Sequence, residues 1–188
     1  MEILSWPEAE VPRAIRLQVV ALQDQSWPGD PMSAPQVGHD PALRPVSVVL
    51  VNEGRIVAAL VILSKELDHG EERYAVSGLS AVVTDRTERR RGYGRRLIVA
   101  ARETMGAGGA DLAIFTCDTL LVPFYESGGY TVLPGTVLVG GVPEDPFPSD
   151  RFDKVTLWHA YTHRAREHAA DFQGARIGLY PGVIDRLW

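Results

Sequence analysis

Cysteine is almost absent from this sequence of 188 residues, which contains only Cys117. No disulfide can form within the chain, and this excludes the small disulfide-framework proteins of secretory compartments. The first residues also lack a basic segment followed by an apolar run, so no secretion signal is expected. These absences predict a protein of the reducing cytoplasm.

Long hydrophobic runs and an excess of positive charge are missing as well. Even the apolar run over residues 56–63 stops at Ser64 and is too short to cross a bilayer, so no membrane partner is expected. The 24 acidic side chains outnumber the 19 basic ones, which gives a formal net charge of -5. This balance argues against a nucleic-acid partner and agrees better with a cationic one.

What the sequence does contain is typical of a globular protein, with 45% hydrophobic and 23% charged residues. This length is expected to form one domain over residues 1–188. A mixture of hairpins and strand–helix alternation predicts an α/β (α+β) fold, with a mixed central sheet, a β-hairpin and helices on both faces. Periodicity predicts helices over residues 11–27, 91–104 and 120–127, and strands over residues 3–6, 46–51, 56–63, 74–84, 111–117, 130–139 and 154–161.

A glycine-containing turn joins the third strand of the predicted sheet to the following helix. Gly92 and Gly94 open this helix, and five of the eight residues 89–96 are arginines. Backbone N–H groups in a first helical turn have no internal partners, and with the helix dipole they suit a phosphate. The pattern predicts a polyphosphate site; a solvated basic surface beside a simple turn is the alternative. A P-loop and a dinucleotide fingerprint are excluded, since Arg95 and Leu97 stand where those motifs need Lys and Gly.

The same segment resembles the acetyl-CoA-binding motif of GNAT N-acetyltransferases, in which Gln or Arg, two residues, Gly, one residue and Gly or Ala follow one another. Arg89, Gly92 and Gly94 match this pattern, although the preceding loop is one residue longer than is common and lacks proline. The resemblance covers about residues 3–161 and implies a GNAT fold, acetyl-CoA as co-substrate and no metal. It implies coenzyme contacts from Ala81, Val82, Val83, Arg89, Arg90, Arg91, Gly92, Tyr93, Gly94 and Arg95.

Tyr125 matches a second signature of the family, an aromatic–tyrosine pair followed by glycine and an aromatic residue. The resemblance implies that Tyr125 is the catalytic acid that protonates the leaving coenzyme A thiolate, while simple packing is the alternative. An amine would attack the thioester directly, with a backbone N–H of residues 81–83 polarising its carbonyl oxygen. An acetyl-carrying role for Cys117 is a further alternative, but a lone strand cysteine is usually a small core residue.

The acceptor is suggested by a weaker resemblance to the aminoglycoside 2'-N-acetyltransferase branch. In that branch the C-terminal carboxylate takes part in the acceptor site, so the tail over about residues 163–188 is expected to close this site. Several carboxylates around a pocket would suit a small-molecule amine with many ammonium groups. The resemblance implies acceptor contacts from Asp30, Leu79, Ser80, Thr116, Asp150, Asp153, Asp185 and Trp188, whereas turn chemistry and tail packing are the alternatives.

One departure from that branch concerns the base. A Glu-Gly pair is expected where Leu79 and Ser80 stand, so the carboxylate that would help deprotonate the amine is missing. Three functions stay open: acetylation of a small polycationic amine, acetylation of a protein or peptide amine, and non-catalytic acetyl-CoA binding. The resemblance also implies a possible homodimer, because many relatives are dimers.

Overall fold

The computed structural model of the chain describes residues 1–28, 38–182 and 187–188. Within these ranges, the helices are α1 (Arg13–Ser26), α2 (Tyr93–Ala107), α3 (Val122–Glu126), α4 (His163–Glu167) and α5 (Ala169–Phe172). The strands are β1 (Glu2–Pro7), β2 (Val46–Asn52), β3 (Arg55–His69), β4 (Glu72–Thr84), β5 (Leu112–Asp118), β6 (Thr131–Val132), β7 (Val137–Val142), β8 (Asp145–Pro148), β9 (Lys154–Ala160) and β10 (Arg176–Gly178).

Seven strands form one mixed sheet in the order β1-β2-β3-β4-β5-β9-β6. The four N-terminal strands pair antiparallel with their neighbours in the sequence. Short turns join β2 to β3 and β3 to β4, whereas the connection from β1 to β2 contains α1. β4 and β5 are parallel, since α2 carries the chain back between them. The prediction of a mixed central sheet with a hairpin is confirmed.

The two long helices cover opposite faces of this sheet. On β2, Val49 packs with Leu22 of α1, whereas its neighbours Val48 and Leu50 belong to the core cluster that contains Leu97 of α2. Successive strand residues point to opposite faces, so the two helices must lie on different sides. Helices on both faces were predicted, and this is confirmed.

The region after α3 differs from the prediction. Instead of one strand over residues 130–139, the chain forms the short β6, turns at Pro134 and Gly135, and then forms β7. The φ of Gly135 is 70°, a value that reverses the chain and separates the two segments. β7 leaves the main sheet and lies between β10 and β8 in a second sheet, which the sequence pattern did not predict.

The length and hydropathy of a helix decide whether it can span a membrane. In the parts of the chain that the structure describes, no helix is long and apolar enough to cross a membrane. α2 is the longest of them, with 15 residues, and it alternates buried apolar positions with exposed arginines. Such a pattern is typical of a helix that lies on a protein core.

Candidate active site

A cleft opens in the main sheet where β4 and β5 separate. The two strands are paired only through Val76 with Leu112 and Ser77 with Ala113. Beyond these pairs, β4 continues to Thr84 and β5 to Asp118 without further pairing between them. The facing edges of the two strands therefore carry backbone groups that can bind something other than each other.

A β-bulge interrupts β4 where it pairs with β3, on the edge of β4 that faces away from this cleft. Ser80 pairs with Val61 and Val83 with Ala59, so Leu60 alone lies opposite Ala81 and Val82. Ala81 has a φ of 50°, an uncommon conformation for a residue with a side chain. A bulge turns backbone groups away from the ladder and re-aims them, as expected of a strand that polarises a carbonyl with its N–H groups. Ala81 and Val82 are half-buried, whereas the Val83 side chain is buried against α1.

The start of α2 has the open geometry that a phosphate requires. Gly92 is the N-cap residue with a φ of 79°, and a Cβ placed on it would meet no atom within 4 Å. The first helical bond there is donated by the Arg96 N–H to the Gly92 carbonyl at 2.9 Å. The earlier N–H groups of this turn are therefore not used by the helix.

Gly94 has a different reason for being glycine. A Cβ at this position would lie 2.9 Å from Oγ1 of Thr84 and 3.1 Å from a ring carbon of Phe124. The start of α2 thus packs directly on the end of β4 and on α3. A side chain larger than hydrogen at position 94 therefore has no room unless Thr84 or Phe124 moves.

The arginines around the turn differ in what they contact. The Arg95 Nε donates to the Ser127 carbonyl at 2.9 Å, and the Arg89 Nε to the Thr84 carbonyl at 3.4 Å. Arg91 forms a 3.1 Å ion pair with Glu88, and Arg90 has a φ of 67°. All four side chains are exposed, so the mouth of the cleft carries positive charge at the surface. Tyr93 is half-buried and packs against the core.

Tyr125 lies on α3, directly after β5, and is buried. Its ring makes edge contacts with Phe115 and Phe124, with centroids 5.2 and 4.9 Å apart. No hydrogen bond of the Tyr125 hydroxyl occurs among the described residues. Burial, with smaller electrostatic contributions from Cys117 and Asp118, raises the pKa of Tyr125 well above its ordinary value. The phenol therefore keeps its proton at neutral pH and can donate it.

Cys117 is also buried, and its environment argues against a nucleophilic role. Burial raises the pKa of the Cys117 thiol from 9.0 to about 11, with Asp118 adding to this shift and Lys154 opposing it. A thiol of this kind is almost entirely protonated at neutral pH, whereas the thiolate is the nucleophile. The interpretation of Cys117 as a core residue is therefore favoured.

This shift predicts how the stability of the protein depends on pH. At neutral pH, well below the ordinary thiol pKa of 9.0, the thiol is protonated in both the folded and the unfolded chain, so its contribution to stability is complete. As the pH rises toward the folded pKa, the unfolded chain releases its proton first, and the free energy of unfolding falls by up to about 1.4 kcal/mol per pH unit. Urea unfolding at two alkaline pH values should show a smaller loss for Cys117→Ala than for the wild type. An equal loss in both proteins would contradict the shift.

Several residues expected to bind the acceptor have other contacts. Leu79 is buried in the main core cluster, which favours a packing role for its side chain. Asp150 forms a 2.6 Å ion pair with Arg176, and Asp153 accepts a 2.5 Å hydrogen bond from Thr119. These partners favour the local interpretation of both carboxylates. Asp30 and Asp185 lie outside the described residues.

The end of the chain lies in the gap between β4 and β5. Trp188 is buried, and its indole Nε1 donates to the Ile114 carbonyl at 3.1 Å. Thr116 donates from its hydroxyl to the Leu187 carbonyl at 3.1 Å and from its N–H to the Trp188 backbone oxygen at 3.4 Å. The Thr116 hydroxyl is therefore engaged by the tail and does not point freely into the cleft. The Trp188 indole fills the gap between the strands and does not line an exposed surface of an acceptor pocket.

A group that the sequence pattern did not reveal lies beside the bulge. His39 donates from its backbone N–H to Glu8 Oε2 at 2.8 Å, and its ring Nδ1 lies 2.8 Å from Glu8 Oε1. The other ring nitrogen, Nε2, lies 3.3 Å from Oγ of Ser80. In the sequence, His39 is 31 positions from Glu8 and 41 positions from Ser80, so no local spacing could have indicated these contacts. The sequence signal for His39 was its position inside the long proline-rich stretch over residues 28–45, because such irregular stretches often border binding sites.

A separate cleft lies at the far end of α2. Its lining includes Met105 and Ala110 beside the start of β4, together with Arg44. The cleft does not include the bulge, the glycine turn or Tyr125, and none of the residues predicted for the site lines it. The groups described above therefore lie at the β4–β5 opening and not in this cleft.

Comparison with known proteins agrees with this geometry. The family described as "Acetyltransferase (GNAT) domain" matches residues 2–133. No curated protein sequence matches the chain. Solved structures share the fold at low identity. An acyl-CoA N-acyltransferase from Pseudomonas aeruginosa is 16% identical, with a TM-score of 0.58, over 85% of this chain and 100% of that chain.

Two further solved structures are aminoglycoside acetyltransferases. One, meta-AAC0020 from an uncultured soil metagenomic sample, is 21% identical with a TM-score of 0.54, over 68% of this chain and 86% of that chain. The other, an aminoglycoside 6'-N-acetyltransferase complexed with coenzyme A, is 15% identical with a TM-score of 0.57, over 86% of this chain and 98% of that chain. At these identities the likeness shows the fold. With a family match over residues 2–133 and a sheet that opens between β4 and β5, this chain belongs to the GNAT family of N-acetyltransferases.

Proposed function

We propose that this protein transfers the acetyl group of acetyl-CoA to a primary amine of a small polycationic, aminoglycoside-like molecule. The observation that carries the proposal is the opening between β4 and β5, which has the bulge at Ala81 and Val82 on one side and the α2 glycine turn at its mouth. A thioester in this opening would lie between N–H groups that can polarise it and a phenol that can protonate the leaving sulfur.

The residues around the turn fit the coenzyme. Open space at Gly92 allows a pyrophosphate to approach the unused N–H groups at the start of α2, and the exposed Arg89, Arg90 and Arg91 supply positive charge. The amine then attacks the thioester carbonyl while an N–H of residues 81–83 stabilises the negative charge on oxygen. Tyr125 gives its proton to the departing thiolate, so that coenzyme A leaves as a neutral thiol.

The acceptor class is supported by two observations. The chain carries a formal net charge of -5, which favours a cationic partner over a nucleic acid. Two structural relatives are named as aminoglycoside acetyltransferases, and a similar acceptor is proposed here. A small cytoplasmic molecule with several ammonium groups agrees with both observations.

An amine panel tests this proposal. Release of free thiol from acetyl-CoA would be measured with aminoglycosides, linear polyamines, single-amine sugars and lysine-containing peptides at equal amine concentration. We expect kcat/KM to be highest for the polycationic small molecules. A preference for peptides would contradict the acceptor class, and thiol release with none of them would favour a non-catalytic acetyl-CoA-binding protein.

We also propose that the tail shapes the acceptor side of the opening, since Leu187 and Trp188 occupy the gap beside β5. Thr116→Val removes the hydroxyl that holds Leu187 without changing the size of the side chain. We expect the acceptor KM to rise several-fold while the acetyl-CoA KM stays constant, because only acceptor binding is weakened.

Thr156→Val is the matched control, because its buried hydroxyl also donates to a backbone carbonyl, that of Thr136, at 2.7 Å. This variant should lose stability by about 1 kcal/mol and leave both KM values unchanged. Unchanged acceptor kinetics in Thr116→Val would mean that the tail has only a packing role.

A further inference from the structure

Among the residues that the structure describes beside the bulge, the group formed by Glu8, His39 and Ser80 offers a proton acceptor for the amine. We propose that His39, held by Glu8, is the general base, and that it takes the amine proton through the Ser80 hydroxyl. This inference rests on the acetyl transfer proposed above and adds a catalytic residue to it.

Two contacts fix the position of the His39 ring. Its backbone N–H and its Nδ1 each lie 2.8 Å from one oxygen of the Glu8 carboxylate, so the residue is held at two points. The preceding Gly38 has a φ of 45°, and a Cβ on it would lie 3.0 Å from Glu8 Oε2. Glycine is therefore what allows this loop to approach the carboxylate. The Glu8 N–H in turn donates to the Pro45 carbonyl at 2.9 Å, which connects the end of β1 to the start of β2.

The hydrogen-bond pattern also determines which ring nitrogen can accept a proton. An ionised carboxylate only accepts hydrogen bonds, so the hydrogen of the neutral ring is assigned to Nδ1, facing Glu8. Nε2 then carries the lone pair, and it faces Ser80 Oγ at 3.3 Å. A carboxylate behind an imidazole holds it in this tautomer and stabilises the imidazolium that forms when it accepts a proton.

The place of Ser80 makes the group relevant to the reaction. Ser80 directly precedes the bulge at Ala81 and Val82, whose N–H groups are the proposed donors to the thioester oxygen. His39 is mostly shielded from water, with 11% of its side chain exposed, and Glu8 has 22% exposed. An amine that attacks a carbonyl held at the bulge would therefore lie next to Ser80. Ser80 and His39 would then take the place of the carboxylate that is missing at Leu79.

The proton balance of this step is complete. The amine nitrogen forms a bond to the acetyl carbon, and the carbon–sulfur bond breaks. The proton on nitrogen passes to Ser80 Oγ while the Ser80 hydroxyl gives its own proton to His39 Nε2. Tyr125 protonates the thiolate, and exchange with solvent then removes the proton from His39 and restores the one on Tyr125. The products are one amide and one thiol.

His39→Asn separates a catalytic role from a structural one. An asparagine amide can occupy the position of Nδ1 and keep a donor toward Glu8, but it has no basic nitrogen. We expect kcat for amine acetylation to fall about 100-fold, the lower range for loss of a general base. The dissociation constant of acetyl-CoA and the melting temperature should stay close to those of the wild type. Added imidazole should restore part of the activity of His39→Ala.

A second variant and a matched control complete the test. Ser80→Ala removes the relay hydroxyl without touching the contact between Glu8 and His39, and kcat should fall about 10-fold or more. His69→Asn removes another histidine hydrogen bond, between His69 Nε2 and the backbone oxygen of Asp171 at 2.9 Å, at the end of β3 that is far from the bulge. This control should keep full activity.

The outcomes distinguish this inference from the proposed function. If the wild type releases thiol with an amine and both His39→Asn and Ser80→Ala keep its kcat, the assigned base is wrong while the acetyltransferase function stands. If the wild type releases no thiol with any amine of the panel, both fail together. A loss of kcat in His39→Asn without a change in acetyl-CoA affinity supports the assignment.

Discussion

Tyr125→Phe should lower kcat by about 100- to 10,000-fold, the range for loss of a general acid, while the affinity for acetyl-CoA hardly changes. The substitution removes one hydroxyl and keeps the ring that packs on Phe115 and Phe124. Burial holds the pKa of Tyr125 above its ordinary value, so the phenol is protonated across the neutral range and the effect should not depend on pH there. Steady-state thiol release, with calorimetric titration of acetyl-CoA, measures both quantities.

Tyr130→Phe provides the control within the same aromatic group. Tyr130 is also buried and has its ring centroid 6.3 Å from that of Tyr125, but its hydroxyl donates to the Ile98 carbonyl at 3.2 Å. Its loss should cost stability, about 1 kcal/mol, and leave turnover intact. If both variants turned over at the wild-type rate, Tyr125 would be a packing residue and the acid would lie elsewhere.

The second large effect is expected at the glycine turn. Gly92→Val should weaken acetyl-CoA binding by about 100-fold or more, which corresponds to losing two charge-assisted hydrogen bonds of about 1.5 kcal/mol each. The valine side chain would enter the open space in front of the α2 N-terminus and keep the pyrophosphate away from the N–H groups. Isothermal calorimetry on the folded variant measures this loss directly.

Gly109→Val controls for the backbone strain that Gly92→Val also introduces. Gly109 lies beyond the other end of α2, with a φ of 85° against 79° for Gly92, and a Cβ there likewise meets no atom within 4 Å. Both variants should lose about 1–2 kcal/mol of stability, because a residue with a side chain is strained at such a φ. Only Gly92→Val should lose coenzyme affinity. Equal affinities in the two variants would refute the placement of the pyrophosphate.

The strand, turn and helix over residues 82–97 could be predicted from the sequence because their signals are local. Each signal depends only on neighbouring residues: the valine-rich run indicates the strand, the glycines indicate the turn, and the apolar positions at helical spacing indicate the helix. The second sheet was missed for a related reason: β7 reads as a continuation of β6 until the turn at Pro134 and Gly135 is recognised.

The details of the site were harder to predict because they depend on register and on distant contacts. Leu79 and Ser80 are adjacent, yet Leu79 is buried in the main core and Ser80 contacts His39. Only the register of β4 decides which of the two side chains faces His39. The Thr116 hydroxyl contacts Leu187, 71 residues away. The contact between Glu8 and His39 likewise crosses from the end of β1 to the loop before β2, a distance that periodicity cannot reveal.

The central claim is that an acetyl group moves from coenzyme A to an amine at the β4–β5 opening. Its most direct test is a single reaction with acetyl-CoA labelled in the acetyl group, in which free thiol and labelled amide are both quantified by mass spectrometry. We predict equal amounts of the two products from the wild type, and a parallel loss of both in Tyr125→Phe. Thiol without amide would show hydrolysis instead of transfer, and labelled amide formed equally fast by Tyr125→Phe would contradict the chemistry assigned to this opening.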